Sequence, residues 1–437
     1  MLRAIGRVVH PSASDTTAIW AGTIWFTALL ALTVVSWSSK VTGNPGSRLA
    51  TVESQVDYGH WEIHDSIYMY VTVDKVLTED GFLSSKPPLF PSILSTTYQG
   101  IQAVTGWTFA ANERLVVFTL RVLLHVLPYL LALILAGRLL AALGITGTQW
   151  TVAYCFISLG TLAFGYAATI APHTLSALLV LAALGPLLIP PSAREPRWFV
   201  WLGMGFCAAL AVTFDFGAAV MALAIGLLSL HRGGLKAAGL VMAGGLLPIL
   251  AHLHLTVHVT NSWYPFYAMP EIYSYQDSYW DNPQNFDALD EPIALYAFHA
   301  LFGHHGLFSM TPLFLFAIPG ALTLWKKSTT RMTSVALSVA AVLTIATYIV
   351  RGPHNYGGTC SGMRWFIVAV PALWYLSVEG MRARWERKAT RALVGLFLVW
   401  GMVNAVTTVV NPWSESLWNL LLRLVGLGSV PPYNWLL

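Results

Sequence analysis

Ser84-Ser85-Lys86-Pro87-Pro88-Leu89-Phe90-Pro91 closes a polar stretch that begins at Asn44, in a chain that is otherwise mostly apolar. That stretch holds Glu53, Asp57, Glu62, Asp65, Asp74, Glu79 and Asp80, seven of the 20 carboxylates of the 437-residue chain. A plain connector between apolar segments is short. One that gathers acids, bases and a rigid proline pair points instead to an active site at a membrane surface. Each proline fixes its own φ and turns the residue before it away from helical geometry. Lys86 is thereby expected to be extended at the start of a Leu89 helix, where a cation beside a helix N-terminus suits a phosphate. The plainer alternative is a proline helix start with a snorkelling lysine.

Working outward, the chain is 56% hydrophobic and 10% charged. Soluble proteins average about 25% charged residues, so this composition implies an all-α polytopic membrane protein. Apolar runs place about eleven transmembrane helices, near 17–37, 114–136, 149–167, 174–190, 198–213, 216–230, 237–257, 307–325, 332–350, 365–380 and 391–410. The first, Thr17 to Trp37, is too long for a signal-peptide core and reads as a retained span. Leu89 to Val104 is broken by Ser95, Thr96, Thr97 and Gln99, and reads as an interfacial helix. The final segment, Leu417 to Leu437, reads as an amphipathic helix or an incomplete span.

Basic residues orient the chain. With Arg3 and Arg7 inside, the inner loops collect Arg138, Arg194, Arg197, Arg232, Lys236, Lys326, Lys327, Arg331, Arg382, Arg384, Arg387, Lys388 and Arg391. That is the positive-inside bias, and most acids fall on the other face. One transmembrane domain, 1–437, thus carries a first outer loop, 38–105 with its interfacial helices, and a second, 258–306. The short loop 351–364 shares their face. A site built there is expected on the outer face, without cytosolic nucleotide donors.

Several classes are excluded. There is no Walker A loop, Rossmann glycine pattern or HExxH helix, so no nucleotide cofactor is expected. A net charge of +4 without an aromatic-laced basic patch gives no sign of nucleic acid. Cys155, Cys207 and Cys360 have no metal-ligand spacing.

Within the first loop, Ser47 is expected to cap a helix from Arg48 to Tyr58 that carries Glu53 and Asp57 on one face. Plain solvation of those charges is the competing reading. His60 and His64 have a spacing that can place two imidazoles on one metal, but Gly59 and Trp61-Glu62-Ile63 read as a turn into a strand, which spoils it. Asp74 and Lys75 should point to opposite sides of an extended segment before a turn at Glu79-Asp80-Gly81. One would serve a substrate and the other anchor the loop. In the second loop, Tyr279 and Trp280 stand among acids and aromatics suited to sugar rings, or to an interfacial belt. His304, His305, Arg351 and His354 add donors that suit phosphate or hydroxyl groups. Arg364 opens a span, where a cation needs a partner or a headgroup. Asp215, between two apolar runs, is an expensive place for an idle carboxylate.

The order of parts resembles the GT-C superfamily of membrane glycosyltransferases, and within it proteins similar to aminoarabinose transferase and protein mannosyltransferases. The likeness lies in one span, a long acidic outer loop containing Arg48, and "KPPL" at Lys86–Leu89 leading into an apolar helix. "GHHGLFSMTPLFL" from Gly303 and "GGTCSGMRWFIVAVPAL" from Gly357 are similar to later span starts. The resemblance implies transfer of a sugar from a polyprenyl-phosphate carrier to a lipid, glycan or protein acceptor, in a cell-envelope setting such as a bacterial cytoplasmic membrane. It implies a first-loop carboxylate as base or metal ligand, so that a divalent metal is compatible though not required. Lys86 matches the motif lysine and Arg48 the first-loop arginine. The family's acidic pair before that arginine falls at Pro45-Gly46, so the base is expected elsewhere, at Glu53 or Asp74. Lys75, Lys86, Arg48 and Arg364 are the expected donor-phosphate ligands. A lipid or solute transporter and a non-catalytic sugar-binding scaffold are the competing classes. A transporter would place more charge within its spans than the chiefly solitary Arg121.

Overall fold

The computed structural model describes residues 1–38, 40–190, 196–288, 291–351 and 355–426. Arg194, Asp290, His354 and the end of the chain beyond 426 lie outside the described residues.

Helices dominate. Among the described residues, five helical stretches are long and apolar enough to cross a membrane: Asp15–Ser38 (α2), Phe109–Ala142 (α5), Ala218–Thr260, Ser328–Arg351 and Lys388–Val410. Pro172–Leu188, Trp198–Phe214 and Pro312–Trp325 are shorter apolar helices. The protein is a multi-pass membrane protein. The expected spans do not map one to one onto these elements. The runs 216–230 and 237–257 are two helical stretches separated by a sharp break at Gly234 (φ 67°, ψ −165°), a conformation open to glycine. The run 149–167 is a helix only over Gly147–Leu159, with a separate single turn at Leu162–Gly165. A membrane removes the hydrophobic drive between helices, so close backbone approach takes its place. Gly320 and Gly380 supply it between Ala317–Trp325 and Val370–Arg382. A Cβ at Gly320 would stand 1.8 Å from the Leu376 carbonyl oxygen, and one at Gly380 2.0 Å from that of Phe316.

The long first loop, 38–105, folds onto this bundle. The amphipathic Leu2–Val9 (α1) precedes α2, and Gly43–Glu53 (α3) follows it. Helix α3 starts four residues earlier than Ser47, the expected cap. Pro45 fits a first turn, where its missing N–H costs nothing. The Ser47 hydroxyl is spent on the Asp74 carbonyl (2.5 Å) and the Ser84 hydroxyl (2.7 Å). A π-helical turn, Ser54–Tyr58, continues α3 to Gly59 at φ 83°. No strand follows at Trp61–Ile63; only the Ile63 N–H reaches the Phe82 carbonyl, at 2.8 Å. The strands are Lys75–Thr78 (β1) and Gly81–Ser84 (β2), an antiparallel hairpin pairing Lys75 with Ser84 and closing on Glu79-Asp80 as expected.

After Pro88, Leu89–Thr105 (α4) buries Phe90, Leu94, Tyr98 and Ile101, one face at helical spacing, and ends at Gly106 with φ 71°. That face shares a core with Leu49 and Val52 of α3, Phe109, Val116 and Val117 of α5, and Ile170 and Leu175. Arg121, inside α5, is buried and donates to the Ser36 carbonyl at 3.0 Å, tying α5 to the end of α2.

Candidate active site

Helix α3, the hairpin and the Lys86 turn converge on one carboxylate. Lys86 Nζ lies 2.9 Å from Asp74 Oδ2, and Asn44 Nδ2 donates to the same oxygen at 3.2 Å. Asn44, one helical turn before Arg48, accepts from its Nη1 through the side chain (2.7 Å) and the carbonyl (3.0 Å). Lys86 stands in a bend just before Pro87-Pro88, and the hairpin delivers Asp74 to it. Arg48 is buried, and desolvation brings its pKa down to about 10 against the pull of Asp74, with Arg364 lowering it further.

Arg364 joins this group from the other end of the chain. It begins a 3-10 turn, Arg364–Ala369, is buried, and packs its guanidinium 4.7 Å from the Trp413 ring centroid. Its Nε and Nη1 are buried and have no hydrogen-bond partner among the described residues. Arg364 and Arg48 both act electrostatically on Asp74. Burial alone would raise the Asp74 pKa, but Lys86 and the two guanidiniums outweigh it and hold the carboxyl below its ordinary value. Burial lowers the Lys86 pKa to about 8, although Asp74 pulls it back up. Lys86 is answered by Asp74, whereas the buried Nε and Nη1 of Arg364 are left without an acceptor among the described residues. Such a place is costly unless an anion completes it.

The other expected residues divide. Lys75 points away, as a neighbour of Asp74 on a strand should, and is spent on the loop itself. Its Nζ donates to the Met69 carbonyl (3.1 Å) and lies over the Phe82 and Tyr70 rings. Glu53 is buried but set apart. It accepts from the Ser66 hydroxyl (2.6 Å) and the Ile67 N–H (3.0 Å). Burial raises its pKa, and the charges it feels are Asp57 and Glu113 rather than the cations. Trp280 closes the second loop over the first by donating to the Val73 carbonyl at 2.9 Å. Arg351 stacks over Phe216 and is exposed. His304 and His305 are buried in a separate cluster with Tyr356, while the His305 carbonyl accepts from Met363 N (3.2 Å), just before Arg364. His60 and His64 stack at 5.2 Å, and each faces Asp65, at 3.2 and 3.1 Å.

Two carboxylates complete the surroundings. Asp215 accepts from His173 Nδ1 (2.7 Å), the Tyr348 hydroxyl (2.5 Å) and Gly217 N (3.1 Å). It is one of the charges felt by Arg48, so this carboxylate is not idle. Asp287, in the second loop, accepts from the Tyr279 hydroxyl (2.9 Å) and from Asn355 Nδ2 (2.7 Å). Burial raises its pKa, and Asp74 and Arg364 are among the charges acting on it. The backbone of Gly357 and Gly358 lies against these groups: a Cβ at Gly357 would stand 2.9 Å from Arg364 Nε, and one at Gly358 3.6 Å from Asp287 Oδ1. Sequence reasoning did not single out Asp287 or Asn44. A helix start at Gly43 would have shown Asn44 on the Arg48 face.

No family model matches the chain, and no curated protein matches its sequence. Solved structures do. The Archaeoglobus fulgidus oligosaccharyltransferase in its apo form aligns over 91% of this chain with a TM-score of 0.50 and 10% identity. The fold is similar to that of this oligosaccharyltransferase. Structures of that enzyme with Zn and sulfate, and of the Archaeoglobus fulgidus AglB with an inhibitory peptide and a dolichol-phosphate, align at TM-scores of 0.47 and 0.48, with 11% and 12% identity over 90% and 91% of this chain. The chain spans 53–56% of the length of these three. At such identity the likeness is one of fold, which agrees with the architecture expected from the first loop and the "KPPL" turn.

Proposed function

We propose that this protein is a membrane glycosyltransferase that takes a sugar from a polyprenyl-phosphate carrier at the outer membrane face. The observation that carries this reading is the convergence of Arg48, Lys86 and Arg364 around Asp74, with guanidinium nitrogens of Arg364 buried and unpartnered. A phosphate would supply acceptors for those nitrogens, and neighbouring apolar helices suit a lipid tail. The basic-residue asymmetry supports the outer face.

In the proposed step an acceptor hydroxyl oxygen attacks the anomeric carbon and the bond from that carbon to the phosphate oxygen breaks. The electron pair leaves with the carrier phosphate, whose developing charge meets Arg48, Lys86 and Arg364. Preorganised cations in a water-poor site stabilise such charge strongly. The hydroxyl proton goes to a carboxylate. Asp74 is held anionic by Lys86, which makes it a weak base and a good anchor for that lysine. Burial raises the pKa of both Asp287 and Glu53, but Asp287 lies beside the Gly357-Gly358 backbone that meets Arg364 whereas Glu53 is engaged by Ser66 and Ile67, and we assign proton removal to Asp287 in preference to Glu53 or Asp74. Three cations suffice at the phosphate, so no metal is assigned there.

The test is transfer of radiolabelled sugar from polyprenyl-phosphate donors by the purified protein in nanodiscs, beside Lys86→Ala and Asp287→Asn. Wild-type turnover lost in both variants, with folding intact, is the expected result. Wild-type turnover retained in Lys86→Ala would overturn the phosphate assignment. Pro45 and Gly46, where the family has acids, favour a second reading: a relative that binds the carrier without turning it over. It predicts donor binding that needs Lys86, with no transfer to any acceptor.

A further inference from the structure

The second outer loop ends in a cluster of ligand-type side chains that the proposed transfer does not use. Glu291 precedes the helix Ile293–Leu301, His299 lies on its last turn, and His304 sits in the turn beyond. One ligand atom from each lies within 4.8 Å of the others. The His299 and His304 rings stack with centroids 4.1 Å apart. His304 is buried, and His299 Nδ1 is a buried nitrogen with no hydrogen-bond partner among the described residues. Two imidazoles and one carboxylate are a donor set for zinc and similar first-row ions, whereas magnesium and calcium favour oxygen-rich sites. Supporting groups stand around it. The Tyr356 hydroxyl donates to the Glu291 carboxylate, and His305 Nδ1 lies 2.5 Å from His304 Nδ1. Such outer partners fix ligand orientation in metal sites.

We propose that Glu291, His299 and His304 bind one zinc-class divalent cation, which fastens the second outer loop to the segment leading to Arg364. The connection runs through Tyr356. Its neighbour Asn355 donates to Asp287, and Gly357 lies against Arg364. The ion is therefore a clamp behind the anion site, distinct from the Arg48–Lys86 group. The proposal stands without the transferase reading, because metal content is measured without turnover.

The experiment uses the full chain in detergent, stripped with a chelator and titrated with Zn²⁺, with bound metal counted by mass spectrometry. Wild type should take up zinc that Mg²⁺ in excess does not displace. His299→Ala and Glu291→Gln should weaken uptake at least about tenfold. His64→Ala, in the exposed His60–His64–Asp65 group, should retain it. X-ray absorption on zinc-loaded wild type, which needs no variant to fold, should show imidazole scattering with nitrogen and oxygen at about 2.0–2.2 Å. No zinc uptake by wild type, uptake unchanged in His299→Ala, loss confined to His64→Ala, or a shell without imidazole would each overturn the proposal.

Discussion

Arg48 and Glu53 lie on one helix, five residues apart and both buried, yet they belong to opposite kinds of place. Around Glu53 the polar groups are largely answered from within. Ser66 and Ile67 supply donors to Glu53, Tyr98 and Gln102 supply them to Asp57, and Tyr68 donates to Glu113. Burial raises the Glu53 pKa, which lessens the cost of its one unpartnered oxygen, Oε1. Around Arg48 the one direct ion pair is Lys86 with Asp74 among the described residues, and Arg364 keeps guanidinium nitrogens without partners among them. A network that satisfies itself braces a fold; one left with unanswered charge waits for a ligand.

The largest effect that contrast predicts is at Lys86. Replacing it with Ala should cut sugar transfer by ~10²–10³-fold, the usual result of removing one donor to developing charge. It also leaves Asp74 buried beside two guanidiniums, so the loss of stability should stay below the ~3–5 kcal/mol seen when a buried pair loses one partner outright. Circular dichroism and thermal unfolding in nanodiscs separate the two effects. Glu53→Gln should keep transfer within about threefold of wild type, since its chemistry lies outside the Arg48–Lys86–Arg364 group. Transfer lost in Glu53→Gln and kept in Lys86→Ala, both folded, would invert the comparison.

A smaller effect, on pH dependence, sharpens it. Lys86 has its pKa lowered to about 8 by burial. The donor is an anion, so binding should be full below that value and weaken as rising pH takes the proton away. Asp287 must be ionised to accept a proton, and burial raises its pKa, so transfer should climb through a value above the ordinary carboxylate range. The profile is then bell-shaped. Lys86→Arg should push the alkaline limb upward, because a guanidinium keeps its charge. An alkaline limb unchanged in Lys86→Arg would remove Lys86 from the phosphate site.

Much of this was legible in the chain. Lys86-Pro87-Pro88 singled out a cation that stands beside Asp74, and the alternation of Asp74 and Lys75 said that the two would point apart but not which would face the site; Lys75, expected at the phosphate, is the one that anchors the loop. The GT-C-like architecture followed from the place of that motif after a single span. Long-range pairing was not legible. Nothing local to Glu53 says that Ser66 and Ile67 will claim it, and nothing local to Asp287 says that Asn355 and the Gly357 backbone will bring it to Arg364. Helix starts were misjudged for a related reason. Ser47 is a good cap by type, but a distant carbonyl, that of Asp74, took its hydroxyl. The two apolar runs 216–230 and 237–257 were legible as separate helices, and Gly234, non-helical at φ 67°, is where the chain breaks between them.

Gly357→Ala tests the anion site from its backbone side. The position has φ 87°, and the added methyl would press on Arg364 Nε. Strain of this kind costs about 1–3 kcal/mol. Because Arg364 must move, KM for the donor should rise several-fold while kcat changes less. An unchanged KM would mean that Arg364 does not touch the donor.

The smallest effect should come from the self-satisfied side. Ser66→Ala removes the donor 2.6 Å from Glu53 and leaves the Ile67 N–H in place. A buried acceptor losing one of two partners costs about 1–3 kcal/mol, seen as a lower unfolding midpoint. Transfer per folded molecule should not change, since Glu53 is held by Ser66 and Ile67 and its leading charge neighbours are Asp57 and Glu113. Here the two regions separate most cleanly. A substitution that weakens the fold and spares turnover marks a brace, and the converse at Arg48 marks a site. If Ser66→Ala lowered turnover as steeply as Lys86→Ala at equal stability, Glu53 would be part of the chemistry, and the helix that carries both residues would have one function along its whole length instead of two.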